Sequence, residues 1–252
     1  MAKKKDFFIH KNEIPFITDE DYTPMKLCVQ ILEAFSRTTN ISFYVIDYFK
    51  KNFLYVSENP LFLCGMTAER VQAMGYDFYL QQVTEEDLPL LPEIHQAGVM
   101  FSDSVPPESR LEYTLSCDFH MKQPSDVDML VHHAVTPLNL TYDGKIWLAL
   151  CMVSLSLQTK SGNIEISRQG CNLRWSYHPE DKKWVKYADI ELLDYEKNLL
   201  RLSAQGYTMS EISKKIHKSV DTVKGYKRLL FKKLNAGNIA EAVSFAILHR
   251  LI

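Results

Sequence analysis

Apolar residues along this chain repeat with two different periods, and the change from one to the other divides it. In ISFYVIDYF (41–49) and FLYVS (53–57) they alternate, with a turn at Lys50-Lys51-Asn52 between the runs, which predicts a β-hairpin. Helical stretches follow: TAERVQAMG, with Thr67 placed to cap it and Gly75 to stop it, and a segment entered at Thr84 in TEEDLPLL, whose acids suit a helix N-terminus. SRLEYTLSCDFHM, DVDMLVHHAVTPL and GKIWLALCMVSLSL then predict three longer strands, the last two joined through the turn dipeptide Asp143-Gly144. A hairpin, short helices and three antiparallel strands make an α+β domain with helices on one sheet face. Ahead of it, Thr23-Pro24 opens a helix whose apolar stripe runs through Leu27, Ile31, Leu32 and Phe35. Such a stripe usually covers its own sheet, and pairing of subunits is its other use. After the domain, NIEIS, CNLRWSY and WVKY predict strands around the turn HPEDKK, a structured connector able to pass on a rearrangement.

Past residue 188 the period becomes helical. Leu192, Leu199, Leu200 and Leu202 fall at helical spacing, and Gly206 sits where a helix end favours a left-handed residue. Thr208 and Glu211 form a capping box that opens a short helix through Ile212 and Ile216. Ser219 then caps another helix after a few residues of turn. Two short helices joined in this way predict a helix-turn-helix, whose second member enters the DNA major groove. Projected at about 100° per residue, VDTVKGYKRLLFKKL places Val223, Tyr226, Leu230 and Leu234 on one side and Asp221, Lys224, Gly225, Arg228 and Lys232 on the other. A last helix begins at Asn238, with an apolar surface too broad for so small a domain to hide, so part of it is open to a second copy.

Charge sharpens this division. The chain carries a formal −2 over 252 residues, yet residues 188–252 hold 11 Lys and Arg against 7 Asp and Glu, and residues 208–234 alone hold 8 against 2. An acidic body with one basic module predicts a polyanionic partner for that module.

LLDYEKNLLRLSAQGYTMSEISKKI followed by SVDTVKGYKRLLFKKLNAGNIAEAV resembles the LuxR-type, or GerE-type, four-helix DNA-binding domain of bacterial transcription regulators. The resemblance implies double-stranded DNA as partner, with Lys224, Gly225 and Arg228 facing the bases and Ser219, Thr222 and Lys233 near phosphates. Lys218, Lys227 and Lys232 join the phosphate set, the first two standing where the family has aliphatic residues. It also implies dimerisation through the last helix. Leu193 replaces the usual Thr or Ser cap, which weakens that helix start, and Gly225 replaces a common Asn or Val, so the family's base preference does not carry over. The preceding domain, in TEEDL and the TPL…YDGK step, resembles a PAS-like sensory domain, which implies a pocket for a small-molecule ligand, or protein pairing. The expected division is a 1–40 N-terminal helical segment, a 41–158 PAS-like domain, a 159–187 β-structured connector and a 188–252 DNA-binding domain. The alternative is a sensory or scaffolding module whose helical tail binds protein rather than DNA.

Other chemistry is not expected. The five cysteines form no C-x-x-C pair and suit reduced, mostly buried thiols, and Cys64 lacks the setting of a flavin-photosensor cysteine. His95, in PEIHQAG, could ligate haem but is expected to be a surface or satisfied histidine, and His132 and His133 alternate across a strand. No phosphate-cradling loop, nucleophile elbow or H-E-x-x-H motif is present. The expectation is a non-enzyme with no metal and no cofactor. MAKKKDFFIHK starts basic, but its apolar stretch ends at His10, so no export signal is expected, and the run 146–157 is too short for a membrane span. A cytoplasmic, dimeric regulator follows.

Overall fold

The computed structural model describes residues 12–252 apart from positions 126, 172, 189 and 250; the N-terminal stretch read for an export signal lies outside them. The chain forms two compact units, Met1–Tyr187 and Ala188–Ile252.

In the first unit, helix α1 (Met25–Ser36) precedes the hairpin β1 (Ser42–Asp47) and β2 (Asn52–Val56). Helices α2 (Pro60–Leu63), α3 (Ala68–Met74), α4 (Asp77–Gln82) and α5 (Leu90–Asp103) lead to β3 (Tyr113–Met121), β4 (Met129–Leu140) and β5 (Ile146–Leu155). Three more strands, β6 (Gly162–Arg168), β7 (Leu173–His178) and β8 (Lys183–Ala188), complete one sheet in the order β2-β1-β5-β4-β3-β6-β7-β8. Its first five strands, with α2–α5 inserted between β2 and β3, are the α+β, PAS-like body that the sequence order predicts. Strand β1 is buried on both faces. Tyr44 and Ile46 belong to the core that includes Phe62, Phe78 and Tyr79 from the helices, while Phe43 and Val45 join Trp147, Leu148 and the Met25 of α1. Helix α1 therefore covers the sheet through Met25, Cys28, Val29 and Leu32 and leaves Leu27, Ile31 and Phe35 more than half exposed.

Two expectations are corrected. The segment entered at Thr84 is a turn, its carbonyl accepting from the Asp87 and Leu88 amides, and the helix begins only at Leu90, after Pro89. Proline lacks the N–H that a helix start leaves unpaired, so the chain enters α5 there. Asp87 instead binds His120, accepting from its backbone amide (2.7 Å) and its Nδ1 (2.8 Å). The segment 159–187 is not a separate connector: β6 pairs with β3 and continues the sheet, covering an edge that would otherwise expose unpaired backbone groups. From this extension Trp175 and Trp184 pack edge-on against Phe101 of α5, and the Trp184 Nε1–H donates to the Ala97 carbonyl at 3.2 Å.

The second unit is α6 (Asp194–Ala204), α7 (Met209–Lys215), α8 (Val220–Leu234) and α9 (Ile239–Leu248). Leu199, Leu200, Ile212, Val223 and Leu230 are fully buried at its centre. Leu193 has no side-chain acceptor, so half of the usual cap is missing; Glu196 supplies the other half by accepting the Leu193 N–H at 2.8 Å.

Candidate nucleic-acid interface and internal cavity

Helix α7 starts at the Thr208 cap, where the hydroxyl accepts from the Glu211 amide and Glu211 accepts from the Thr208 amide at 2.8 Å. His217 then takes a left-handed φ of 52° in the turn, and the Ser219 hydroxyl accepts the Thr222 amide at 3.1 Å to open α8. These local signals fix the angle at which α8 leaves the turn. Val223, Leu230 and Leu234 point into the core and the Tyr226 ring packs tilted against Tyr195, with centroids 4.3 Å apart. Asp221, Lys224, Arg228 and Lys232 face outward. The faces match the projection.

Charge on the outward face is free to act. Arg228, Lys218 and Lys232 are exposed, with no ion pair among the described residues, and Lys224 makes one exposed 3.5 Å contact to Asp221, a contact worth little in water. Gly225 lies one residue past Lys224 and three before Arg228, and a Cβ there would meet nothing within 4 Å. The cations thus flank a smooth strip of backbone. Lys227 lies with its ammonium 5.3 Å from the Phe231 ring centroid. The Ser219 and Thr222 hydroxyls bond each other at 2.9 Å at the helix start.

Lys233 is different. Its Nζ donates to Glu196 Oε2 at 2.7 Å, and Glu196 is buried. The carboxylate that caps α6 therefore also pins the end of α8, through a lysine whose side chain is one-third exposed. Sequence reasoning misses this, because the partners lie 37 positions apart.

The first unit holds a partly open cavity of about 140 Å³ between α5 and the sheet. Its wall is mostly apolar and aromatic, including Tyr76, Leu91, Ile94, Phe101, Leu115 and Ile146. Gly98 is also on the wall; a Cβ there would approach Leu115 Cδ1 to 2.9 Å, so the end of the Leu115 side chain would have to shift. Several polar groups on the wall are satisfied within the fold. The Tyr44 hydroxyl bonds both the Tyr79 hydroxyl and His133 Nε2. The Arg110 guanidinium donates to the carbonyls of Val105 (3.2 Å) and Gly144 (2.5 Å).

His95 overturns its expectation. It is neither a surface group nor a satisfied one: it lines the cavity beside Tyr48, both ring nitrogens are shielded from solvent, and neither has a hydrogen-bond partner among the described residues. Burial draws its pKa down to about 4, so the ring is neutral near pH 7. His133, on the inner face, is likewise held neutral by burial, while His132 on the other face binds Asp118 at 3.1 Å. Among the described residues no group of three or more His, Cys, Asp or Glu is placed to hold a metal, and no helix is long and apolar enough to cross a membrane.

No curated protein sequence matches the chain. Among solved structures, the VqmA dimer of Vibrio cholerae, described as a LuxR-type receptor, is 17% identical over 92% of this chain and 88% of its own, with a TM-score of 0.33. A VqmA–ligand–DNA complex is 16% identical over 93% and 89%, with a TM-score of 0.33. A PAS domain from Colwellia psychrerythraea is 13% identical over 50% and 97%, with a TM-score of 0.36. The assignments rest on the strand order and on the family match rather than on these distant likenesses. Residues 192–246 match the GerE family, described as bacterial regulatory proteins of the luxR family, and the C-terminal unit of this chain is a DNA-binding domain of that family.

Proposed function

We propose that this chain is a cytoplasmic, dimeric transcription regulator whose PAS-like unit takes a small ligand and whose α8 reads DNA. Lys224 and Arg228 reach base edges in the major groove, with Gly225 allowing close approach of the backbone. Lys218, Lys227, Lys232 and the Ser219 and Thr222 hydroxyls at the start of α8 contact phosphates. Lys233 acts one step back, by holding α8 to α6 through Glu196. One observation carries the reading: two exposed cations one turn apart on the second helix of a helix-turn-helix, with open backbone between them. The open stripe Leu27, Ile31 and Phe35 on α1 supports pairing with a second copy, since a monomer gains nothing by exposing it. A ligand shifts the activity only by binding two arrangements of the protein unequally.

Selection of bound genomic DNA fragments, with and without small molecules from cell extract, tests the proposal. It expects a recurring sequence element whose recovery changes with the extract. Recovery of fragments without any shared element would favour the reading in which the tail binds protein.

A further inference from the structure

We infer that the cavity under α5 takes an uncharged, one-ring molecule whose polar group is read by the neutral imidazole of His95; this rests on the ligand-binding reading above. The volume sets the size. About 140 Å³ is close to the roughly 150 Å³ of an apolar cavity that holds benzene, and far too small for a macrocycle such as haem. The wall sets the polarity, since aromatic and aliphatic side chains dominate it and a charged ligand would lose its hydration without a partner.

Among the described residues the wall carries one cation, Arg110, which the fold itself holds. Arg110 donates from Nε and Nη1 to the carbonyls of Val105 and Gly144, which holds the guanidinium as a brace between two backbone segments. His95 has no such employment. A neutral imidazole offers one N–H and one lone pair, and leaving both unmet in a buried site is costly and uncommon in native proteins. The missing partner fits in the space the ring borders. A hydroxyl, a carbonyl or a ring nitrogen of a ligand in that space is the partner the imidazole lacks. Gly98, about one turn along α5 from His95, leaves its part of the wall without a side chain.

The test compares four probes of similar size, toluene, 3-methylphenol, benzoate and benzylamine, by ligand-observed NMR titration of the full chain. Its companion is His95→Leu, a change that removes an unmet polar group and so leaves the fold intact or firmer. The expected result is that 3-methylphenol binds the wild type about 3- to 10-fold more tightly than toluene, the size of one hydrogen bond. His95→Leu should erase that preference while still binding toluene, and the charged probes should bind neither protein measurably. If 3-methylphenol keeps its advantage in His95→Leu, or benzoate binds best, His95 is not the reader and this inference falls while the ligand-binding reading stands. If no probe binds either protein, both fall together.

Discussion

The second unit carries its candidate groups on its outside, and the first unit carries its own on an inner wall. On α8 they point outward from one helix, so a period of 3.6 residues is enough to set Lys224 and Arg228 side by side. In the PAS-like unit they point inward from α5, the neighbouring helices and several strands, and no single stretch of chain shows the cavity that they line. An outward site is free to keep charges uncompensated, because water solvates them until DNA arrives. An inward site must satisfy or neutralise every polar group, which makes His95 conspicuous. The contrast also holds within α8: Lys232 and Lys233 are neighbours, yet one faces solvent and the other is tied to a buried carboxylate.

The sharpest way to break the comparison is Lys233→Ala. If this lysine serves structure, the variant leaves Glu196 buried without its counter-charge and loses about 2 kcal/mol of stability, less than for a fully buried pair because the lysine is partly exposed. Denaturant unfolding of the C-terminal unit checks it; unchanged stability with a weaker salt dependence of DNA binding would return Lys233 to the phosphate set. Arg228→Ala should do the reverse, leaving stability within about 0.5 kcal/mol and costing about 1–3 kcal/mol on a specific DNA site. On the outward face of α1, Ile31→Glu should raise the dimer dissociation constant about tenfold or more, a loss of roughly 1.4 kcal/mol, as read by sedimentation; a monomeric wild type would remove the dimer from the account.

Smaller effects test the inward site and the smooth strip. Because the pKa of folded His95 lies near 4, below its ordinary value of 6.5, the unfolded chain takes up that proton first as the pH falls. Stability should therefore decline between about pH 6.5 and 4 by up to about 1.4 kcal/mol per pH unit from this group. His95→Leu should remove that share of the slope, leaving the part due to His133. Gly225→Ala should stabilise the free chain by about 0.5–1 kcal/mol, since helix propensity rises and the new methyl group meets nothing. Any loss in DNA affinity would then come from the interface alone.

What the sequence shows and hides follows the same line. The hairpin, the three long strands, the capping box at Thr208 and Glu211 and the two faces of α8 are legible because each is a local pattern. Helices α2 and α4 escape notice because four and six residues are too few to show a period. The reading of Thr84 as a helix start fails because a turn closed by the Asp87 and Leu88 amides uses the same residue types as a helix N-terminus. The strands of residues 159–187 are legible, but their pairing with β3 is a long-range choice that no local signal records. The cavity is hidden for the same reason, and so is His95, whose distinction is a missing partner.

The most direct measurement of the central claim is selection of duplexes from a random-sequence pool by the wild type and by a Lys224→Ala/Arg228→Ala double variant, at one fixed salt concentration. The account predicts that the wild type enriches a defined half-site, and that the variant stays folded, retains weak binding and enriches none. Enrichment of the same half-site by both proteins, or of no site by the wild type, would contradict it.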